Sequence, residues 1–222
     1  MVIINRDKKE RYDAEVSTGK LIVIEGLDGS GKSTQIKLIK EELEKMGKKV
    51  YVTAEPTTYE TGAYLRRILS ESLEKDMYLQ AALFLADRVE HNTHPEFGIK
   101  KYIDDGYIVL CDRYYFSTFA YQGTACDMDW VMKINLECRQ ILKPDLCIFI
   151  DVNPDTCKKR IDDVREKPEL YEKDADKMRQ IRSKFLDVFE RLKTTHNIAV
   201  VDANMDIDGV FKAAFSSVKE LI

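Results

Sequence analysis

Short apolar runs alternate along the chain with longer stretches in which apolar residues recur every three or four positions. This alternation is typical of a parallel sheet covered by helices. The runs predict five buried strands, at residues 21–25, 50–53, 107–111, 146–151 and 198–202. Helical patterns lie at residues 32–46, 60–74, 77–105, 128–142, 154–163, 174–193 and 206–220. The fold class predicted is therefore α/β, with three layers and a five-stranded parallel sheet.

The sequence predicts one domain with two unusual segments. Residues 1–19 precede the first strand and are mostly polar, so we interpret them as an N-terminal extension. Residues 162–176 are dense in charge, contain Pro168 and lie between two helical patterns, which indicates a surface lid. Because repeats and Gly/Ser-rich linkers are missing, we expect a single domain over residues 20–222.

Composition narrows the range of partners. The 222 residues carry 35 Lys and Arg against 39 Asp and Glu, a net charge of −4, so no overall positive field attracts nucleic acid or acidic lipid. The apolar runs are shorter than the roughly 20 residues that a bilayer crossing needs, and the N-terminus lacks a secretory signal. We therefore expect a cytoplasmic protein that binds neither nucleic acid nor membranes. Its five cysteines form no C-x-x-C pair, as expected of reduced thiols.

Residues 26–33 form a complete G-x-x-x-x-G-K-[ST] motif between a predicted strand and a predicted helix. Glycines let backbone N–H groups curl around a polyphosphate at the positive end of the helix. Lys32 would supply charge to the β- and γ-phosphates, and the Ser33 hydroxyl suits Mg²⁺. The predicted nucleotide-binding residues are Gly26, Leu27, Asp28, Gly29, Ser30, Gly31, Lys32, Ser33 and Thr34.

This motif leaves the phosphoryl acceptor open, and the segment after the third strand bears on it. The absence of an N-K-x-D string argues against a GTPase. The sequence DRYYFSTFAYQG (112–123) begins where a parallel strand reaches the ligand crevice, so Asp112 and Arg113 should lie near the phosphates. Arg113 could bind a second phosphate, and Asp112 joins Ser33 as a candidate metal ligand. The alternative is an Asp–Arg ion pair that caps the next helix.

Two further pairs of residues lie on one predicted helix. Phe84 and Arg88 are one turn apart and would project from the same face, although a buried Phe beside a solvated Arg is the usual meaning of such spacing. His91 and His94 have the spacing of a metal pair. Because no third ligand is evident and Pro95 follows at once, we interpret them as surface or hydrogen-bonded core histidines.

Several segments together resemble the thymidylate kinase family over about residues 20–222. They are IEGLDGSGKST (24–34), Glu55-Pro56, LFLADRV (83–89), DRYYFSTFAYQG (112–123), KPDLCIFIDV (143–152) and the arginine-bearing lid. The DRY-x-x-S-x-x-A-Y-Q-G pattern is the most specific, since adenylate and guanylate kinases lack it. The resemblance implies a P-loop kinase fold and transfer of a phosphoryl group from ATP to dTMP. It also implies Mg²⁺ dependence and a homodimer.

The resemblance assigns roles to residues of this chain. Phe84 would stack on the thymine ring, Arg88 would hydrogen-bond the base, and Arg113 would bind the dTMP phosphate. The other implied contacts with dTMP are Ser117 and Thr118 at the base edge, Tyr121 at the sugar where a 2′-hydroxyl would sit, Asp28 facing the 3′-hydroxyl, and Pro56 and Gln122.

Members of this family supply a catalytic arginine from the P-loop or from the lid. Positions 27–30 contain no arginine, so Arg165 or Arg160 is the expected donor, and Arg165 is favoured because it lies in the lid loop. The arginine that often precedes Glu-Pro in bacterial members is Ala54 here. Its phosphate contact could be replaced by backbone N–H groups or by Thr57, Thr58, Arg66 or Arg67.

Two alternative functions remain open at this point. One is another nucleotide or deoxynucleoside kinase, which would accept dUMP or a nucleoside hydroxyl. The other is a P-loop ATPase that acts as a switch between partners.

Overall fold

The computed structural model describes residues 19–71, 73, 75–163, 171 and 174–222. Five strands form one sheet in the order β2-β3-β1-β4-β5, and every neighbouring pair is parallel. The strands are β1 (Lys20–Glu25), β2 (Val50–Ala54), β3 (Ile108–Asp112), β4 (Leu146–Asp151) and β5 (Ile198–Asp202). The predicted α/β fold with a five-stranded parallel sheet is confirmed.

Helices connect the strands and cover the sheet. They are α1 (Lys32–Lys45), α2 (Glu60–Ser70), α3 (Met77–Thr93), α4 (Ile99–Asp104), α5 (Tyr115–Tyr121), α6 (Met128–Leu136), α7 (Pro154–Asp162), α8 (Ala175–Leu192) and α9 (Ile207–Leu221). A short 3₁₀ turn at Gln122–Thr124 follows α5.

The helix predicted over residues 77–105 is wrong in one respect, because it is two helices. α3 ends before His94, whose extended backbone precedes Pro95, and α4 starts only after Gly98. A residue before proline is disfavoured in the α region, which explains the break. The sequence analysis did not predict α5, whose aromatic residues are buried and which packs mainly against α8.

The central strands form the core. Leu21 through Ile24 of β1 and Val109 through Cys111 of β3 have no exposed surface, as expected for parallel strands covered on both faces. The carboxyl ends of β1, β2 and β3 lie side by side, so the segments that follow these strands meet at one edge of the sheet. Within the described ranges, no helix is both long and apolar enough to cross a membrane.

Two predicted segments fall largely outside the described residues. These are the N-terminal extension, of which only Gly19 is described, and the lid, in which residues 164–170 and 172–173 are not. Arg165, the favoured catalytic arginine, is among them. The domain boundaries, the lid and the role of Arg165 stay predictions.

Candidate active site

The loop between β1 and α1 has the geometry of an anion cradle. Gly26, Gly29 and Gly31 have φ angles of +153°, +76° and +98°. Residues other than glycine rarely adopt positive φ angles of this kind. A Cβ on Gly29 would also lie 2.6 Å from the carbonyl oxygen of Cys157. The glycines therefore bend the chain sharply and place the N-terminus of α1 directly after the loop.

Lys32 closes this loop on itself. Its ammonium donates to the carbonyl oxygens of Gly26, at 3.3 Å, and Leu27, at 3.0 Å, and its side chain is buried. Burial lowers the pKa of Lys32, and the positive charge of Arg113 lowers it further. An anion bound between these two cations would relieve their repulsion and stabilise the charged form of Lys32.

Arg113 reaches from the end of β3 toward the same loop. Its φ is +69°, unusual for a residue with a side chain, and its backbone N–H donates to Ile24 O at 2.9 Å. The guanidinium donates to Asp28 Oδ1 at 2.7 Å and to Ser117 Oγ at 3.0 Å, and it lies 5.2 Å from the ring centre of Tyr121. The helix-cap alternative required an ion pair between Arg113 and Asp112. Arg113 instead forms its ion pair with the loop residue Asp28.

Glu25, the last residue of β1, supports this arrangement and was not singled out from the sequence. Its carboxylate is fully buried and accepts from Tyr114 N at 2.8 Å, Ser117 N at 3.1 Å and Ser117 Oγ at 2.6 Å. Burial raises the pKa of Glu25 from 4.5 to about 7, although Arg113 and these hydrogen bonds oppose the shift. A charged residue ending an apolar strand was the signal available in the sequence.

A cavity of about 850 Å³ joins the loop to Arg113, enough for more than one small ligand. It is lined by fifteen of the predicted site residues: Asp28, Gly29, Gly31, Lys32, Ser33, Thr34, Pro56, Phe84, Arg88, Asp112, Arg113, Ser117, Thr118, Tyr121 and Gln122. Gly26, Leu27 and Ser30 do not line it, and the last two are buried behind its surface. The chain therefore brings most of the predicted residues together.

Arg88 is buried rather than solvated, which contradicts the usual meaning of its spacing from Phe84. It is 1% exposed and lies in the cavity wall, where it forms hydrogen bonds with Glu55, Thr118 and Asn135. Glu55 and Asn135 lie 33 and 47 residues away along the chain. Asn135 had no signal in the sequence, since a lone asparagine in a helix is usually exposed.

His91 near the end of α3 and His94 just after it both contact other side chains of the protein. His91 is buried, with Nδ1 at 3.0 Å from Glu55 Oε1 and Nε2 at 2.7 Å from Thr53 Oγ1. His94 stacks on the ring of Tyr59 at 5.1 Å. The described part of the chain contains no group of three or more His, Cys, Asp or Glu side chains that could hold a metal ion.

A divalent cation shared with phosphate oxygens is a different case, because it needs only one or two protein ligands. The Oδ1 atom of Asp112 is buried and has no hydrogen-bond partner among the described residues. The Ser33 side chain lines the same cavity. These hard oxygen donors beside the phosphate-binding loop fit Mg²⁺.

Comparison with known proteins agrees with this geometry. The sequence profile of the family described as thymidylate kinase matches residues 24–214. This chain belongs to the thymidylate kinase family. A probable thymidylate kinase of Caldivirga maquilingensis is 34% identical over 199 residues, which cover 89% of this chain and 92% of that protein. The thymidylate kinase of Caldicellulosiruptor saccharolyticus is 33% identical, covering 92% and 96%, and that of Mycoplasma capricolum is 34% identical, covering 90% and 94%.

Ala54 stands where many bacterial members of the thymidylate kinase family have an arginine, and one of the residues that could replace its phosphate contact lines the cavity. Arg66 of α2 lies there and donates to the carbonyl oxygens of Pro56 and, at 3.2 Å, Thr57. Arg67 is exposed and pairs with Glu71 on its own helix. Thr57 N donates to Asp87 at 2.9 Å, so its backbone is already engaged. Arg66 is the better candidate for the phosphate contact.

The lid side of the cavity includes Arg160 and Tyr171. Arg160 donates to Gly29 O at 3.1 Å, so the second candidate for the catalytic arginine already touches the phosphate-binding loop. Tyr171 donates to Gln80 Oε1 at 2.7 Å and accepts from Gln122 Nε2 at 3.2 Å. These bonds tie Tyr171 of the lid to α3 and to the turn after α5.

Proposed function

We propose that this protein transfers the γ-phosphoryl group of ATP to dTMP and so forms dTDP. Its membership of the thymidylate kinase family supports the reaction and ATP as the donor. The observation that carries the site assignment is that Lys32 and Arg113 line one cavity, with Arg113 bonded to a residue of the phosphate-binding loop. Two anionic groups can therefore be neutralised within the same crevice.

On the donor side, the backbone of the loop and Lys32 bind the polyphosphate. Ser33 and Asp112 would hold Mg²⁺, which offsets the charge on the transferred group when it is bound. Arg165, or Arg160, supplies a further positive charge as the phosphoryl group moves. Such transfer requires positioning and charge neutralisation more than covalent chemistry.

On the acceptor side, Arg113 binds the dTMP phosphate and Arg66 assists it. Phe84 is half-buried in the cavity wall, where its ring can stack on the thymine base, and Arg88 and Thr118 offer hydrogen bonds to the base edge. Tyr121 packs beside Arg113 and limits the space for a ribose 2′-hydroxyl. Asp28 orients Arg113 and meets the 3′-hydroxyl.

We also propose that the protein forms a homodimer. Large apolar side chains are exposed on α3 and α6, namely Tyr78, Leu79, Trp130 and Leu136, with the rings of Tyr78 and Trp130 5.0 Å apart. An apolar surface of this kind on adjacent helices suits a self-complementary interface. A cytoplasmic location stays an expectation from the sequence.

A nucleoside acceptor is disfavoured by the position of Arg113 in the cavity, because the neutral hydroxyl of a nucleoside needs no cation to bind an acceptor phosphate. Formation of ADP should be followed with ATP alone and with dTMP, dUMP, dGMP or thymidine added. We expect dTMP to be the best acceptor by at least about tenfold in kcat/KM. A preference for thymidine, or rapid ADP formation without an acceptor, would contradict the proposal.

A further inference from the structure

The guanidinium of Arg88 is held by more partners than a base-binding arginine requires. Its Nε donates to Glu55 Oε2 at 2.9 Å, and Nη2 lies 2.6 Å from the same oxygen and donates to Thr118 Oγ1 at 3.1 Å. Nη1 donates to Asn135 Oδ1 at 2.6 Å. Three of its five N–H bonds thus have an acceptor among the described residues, the ion pair with Glu55 holds Nη2 as well, and one N–H of Nη1 is left for a ligand.

The acceptors around Arg88 are themselves fixed. Asn135 Nδ2 donates to Val131 O at 2.9 Å, so its Oδ1 must face the guanidinium. The second oxygen of Glu55 lies 3.0 Å from His91 Nδ1, which must carry a proton because a carboxylate only accepts. The other ring nitrogen of His91 is 2.7 Å from Thr53 Oγ1. The chain Thr53–His91–Glu55 therefore sets the position of the carboxylate.

The face of the guanidinium is also covered. The Arg88 Cζ atom lies 5.2 Å from the ring centre of Tyr114, whose hydroxyl donates to Asn92 Oδ1 at 3.0 Å. With ring contact on a face and hydrogen bonds along its edges, the guanidinium cannot turn to present a different edge. The Arg88 guanidinium can only donate hydrogen bonds to a ligand in the cavity, because arginine stays protonated and has no acceptor.

We propose that Asn135 and His91 are positioning residues that make the acceptor site selective for pyrimidines with a 4-oxo group. This inference rests on the proposed function. A base carbonyl accepts from a free N–H on Nη1 of Arg88, whereas the 4-amino group of cytosine would present N–H against N–H and leave a buried donor unpaired. Without Asn135 or His91, the guanidinium gains freedom to tilt and the penalty against a 4-amino group falls.

The test compares kcat/KM for dTMP, dUMP and dCMP in matched variants. Asn135→Leu removes an acceptor of Arg88 and His91→Leu removes a partner of Glu55, whereas His91→Asn keeps a donor toward Glu55. Gln35→Leu is the structural control, because it removes a buried amide that donates to Ile207 O rather than to Arg88 or its partners.

We expect both leucine variants to lower the dTMP-to-dCMP ratio of kcat/KM at least about tenfold, mainly through a higher KM for dTMP. His91→Asn and Gln35→Leu should stay within about threefold of the parent ratio, since neither frees the guanidinium. An unchanged ratio in a folded leucine variant would overturn the proposal. If Asn135→Leu does not fold, the His91 pair decides, and a parent enzyme with no activity toward dTMP refutes the proposed function instead.

Discussion

Arg113 Nη2 lies 2.7 Å from Asp28 Oδ1, so a guanidinium at the end of β3 is held against the loop that follows β1. The two residues are 85 positions apart in sequence. Their contact places the cation that we propose for the acceptor phosphate next to the loop that we propose for the donor phosphates, and the proposed mechanism depends on this proximity.

Replacing Arg113 tests the acceptor-phosphate contact. Arg113→Ala should lower kcat/KM for dTMP about 10- to 100-fold, mainly through KM, because a charge-assisted hydrogen bond contributes about 1.5–3 kcal/mol. Steady-state kinetics with dTMP and ATP varied separately measure the effect. Arg67→Ala is the matched control, since that exposed arginine pairs with Glu71 on α2. Unchanged dTMP kinetics in Arg113→Ala would remove its proposed role.

The metal assignment makes a separate prediction. Asp112→Asn should raise the Mg²⁺ concentration for half-maximal activity at least about tenfold, because an amide oxygen is a weaker ligand for a hard cation than a carboxylate. The exposed Asp104→Asn serves as control. A Mg²⁺ titration that superimposes on that of the parent enzyme would show that Asp112 does not hold the metal.

Glu25 predicts a pH dependence of stability. Burial raises the pKa of Glu25 from 4.5 to about 7. Between pH 4.5 and pH 7, Glu25 therefore keeps its proton in the folded state, whereas the same residue in the unfolded chain has lost it. Its contribution to stability is thus present below pH 4.5 and is lost as the pH rises through 7, by up to about 3 kcal/mol. Glu25→Gln keeps an acceptor for the backbone N–H groups of Tyr114 and Ser117 and removes the titration.

We therefore expect Glu25→Gln to gain stability relative to the parent protein between pH 5 and pH 8. Denaturant unfolding of both proteins across this range measures the difference. A difference in the free energy of unfolding that does not change with pH would show that Glu25 titrates normally.

The lid arginines can be told apart by kinetics. Arg165→Ala should lower kcat about 100-fold or more with little change in the KM values, because its charge is needed as the phosphoryl group moves. Arg160→Ala should have the smaller effect, since the described contact of Arg160 is with the loop backbone. If only Arg160→Ala lowers kcat, the assignment of Arg165 is wrong.

The parts of this site that the sequence predicted are those encoded in short contiguous motifs. The glycine loop and the segment from Asp112 to Gln122 each follow a strand, so the parallel sheet alone brings them to one edge. The partners of Arg113 and Arg88 could not be predicted in the same way. Asp28 and Asn135 reach these guanidiniums through packing of separate helices and loops, and spacing along the chain does not specify such contacts.

Errors in the predicted elements have local causes. The 77–105 pattern kept its apolar period across Pro95, so periodicity favoured one helix where backbone sterics impose two. Spacing alone favoured a solvated Arg88, because a helical arginine is usually exposed, whereas here the buried carboxylate of Glu55 compensates its charge.

The most direct test of the account is binding of a dinucleotide in which adenosine and thymidine are joined through five phosphates. If both phosphate sites lie in one cavity, this compound should compete with ATP and with dTMP, and bind at least about 100-fold more tightly than dTMP alone. Arg113→Ala should weaken its binding. Competition with only one of the two substrates would contradict the central claim that the loop at residues 26–33 and Arg113 form a single phosphoryl-transfer site.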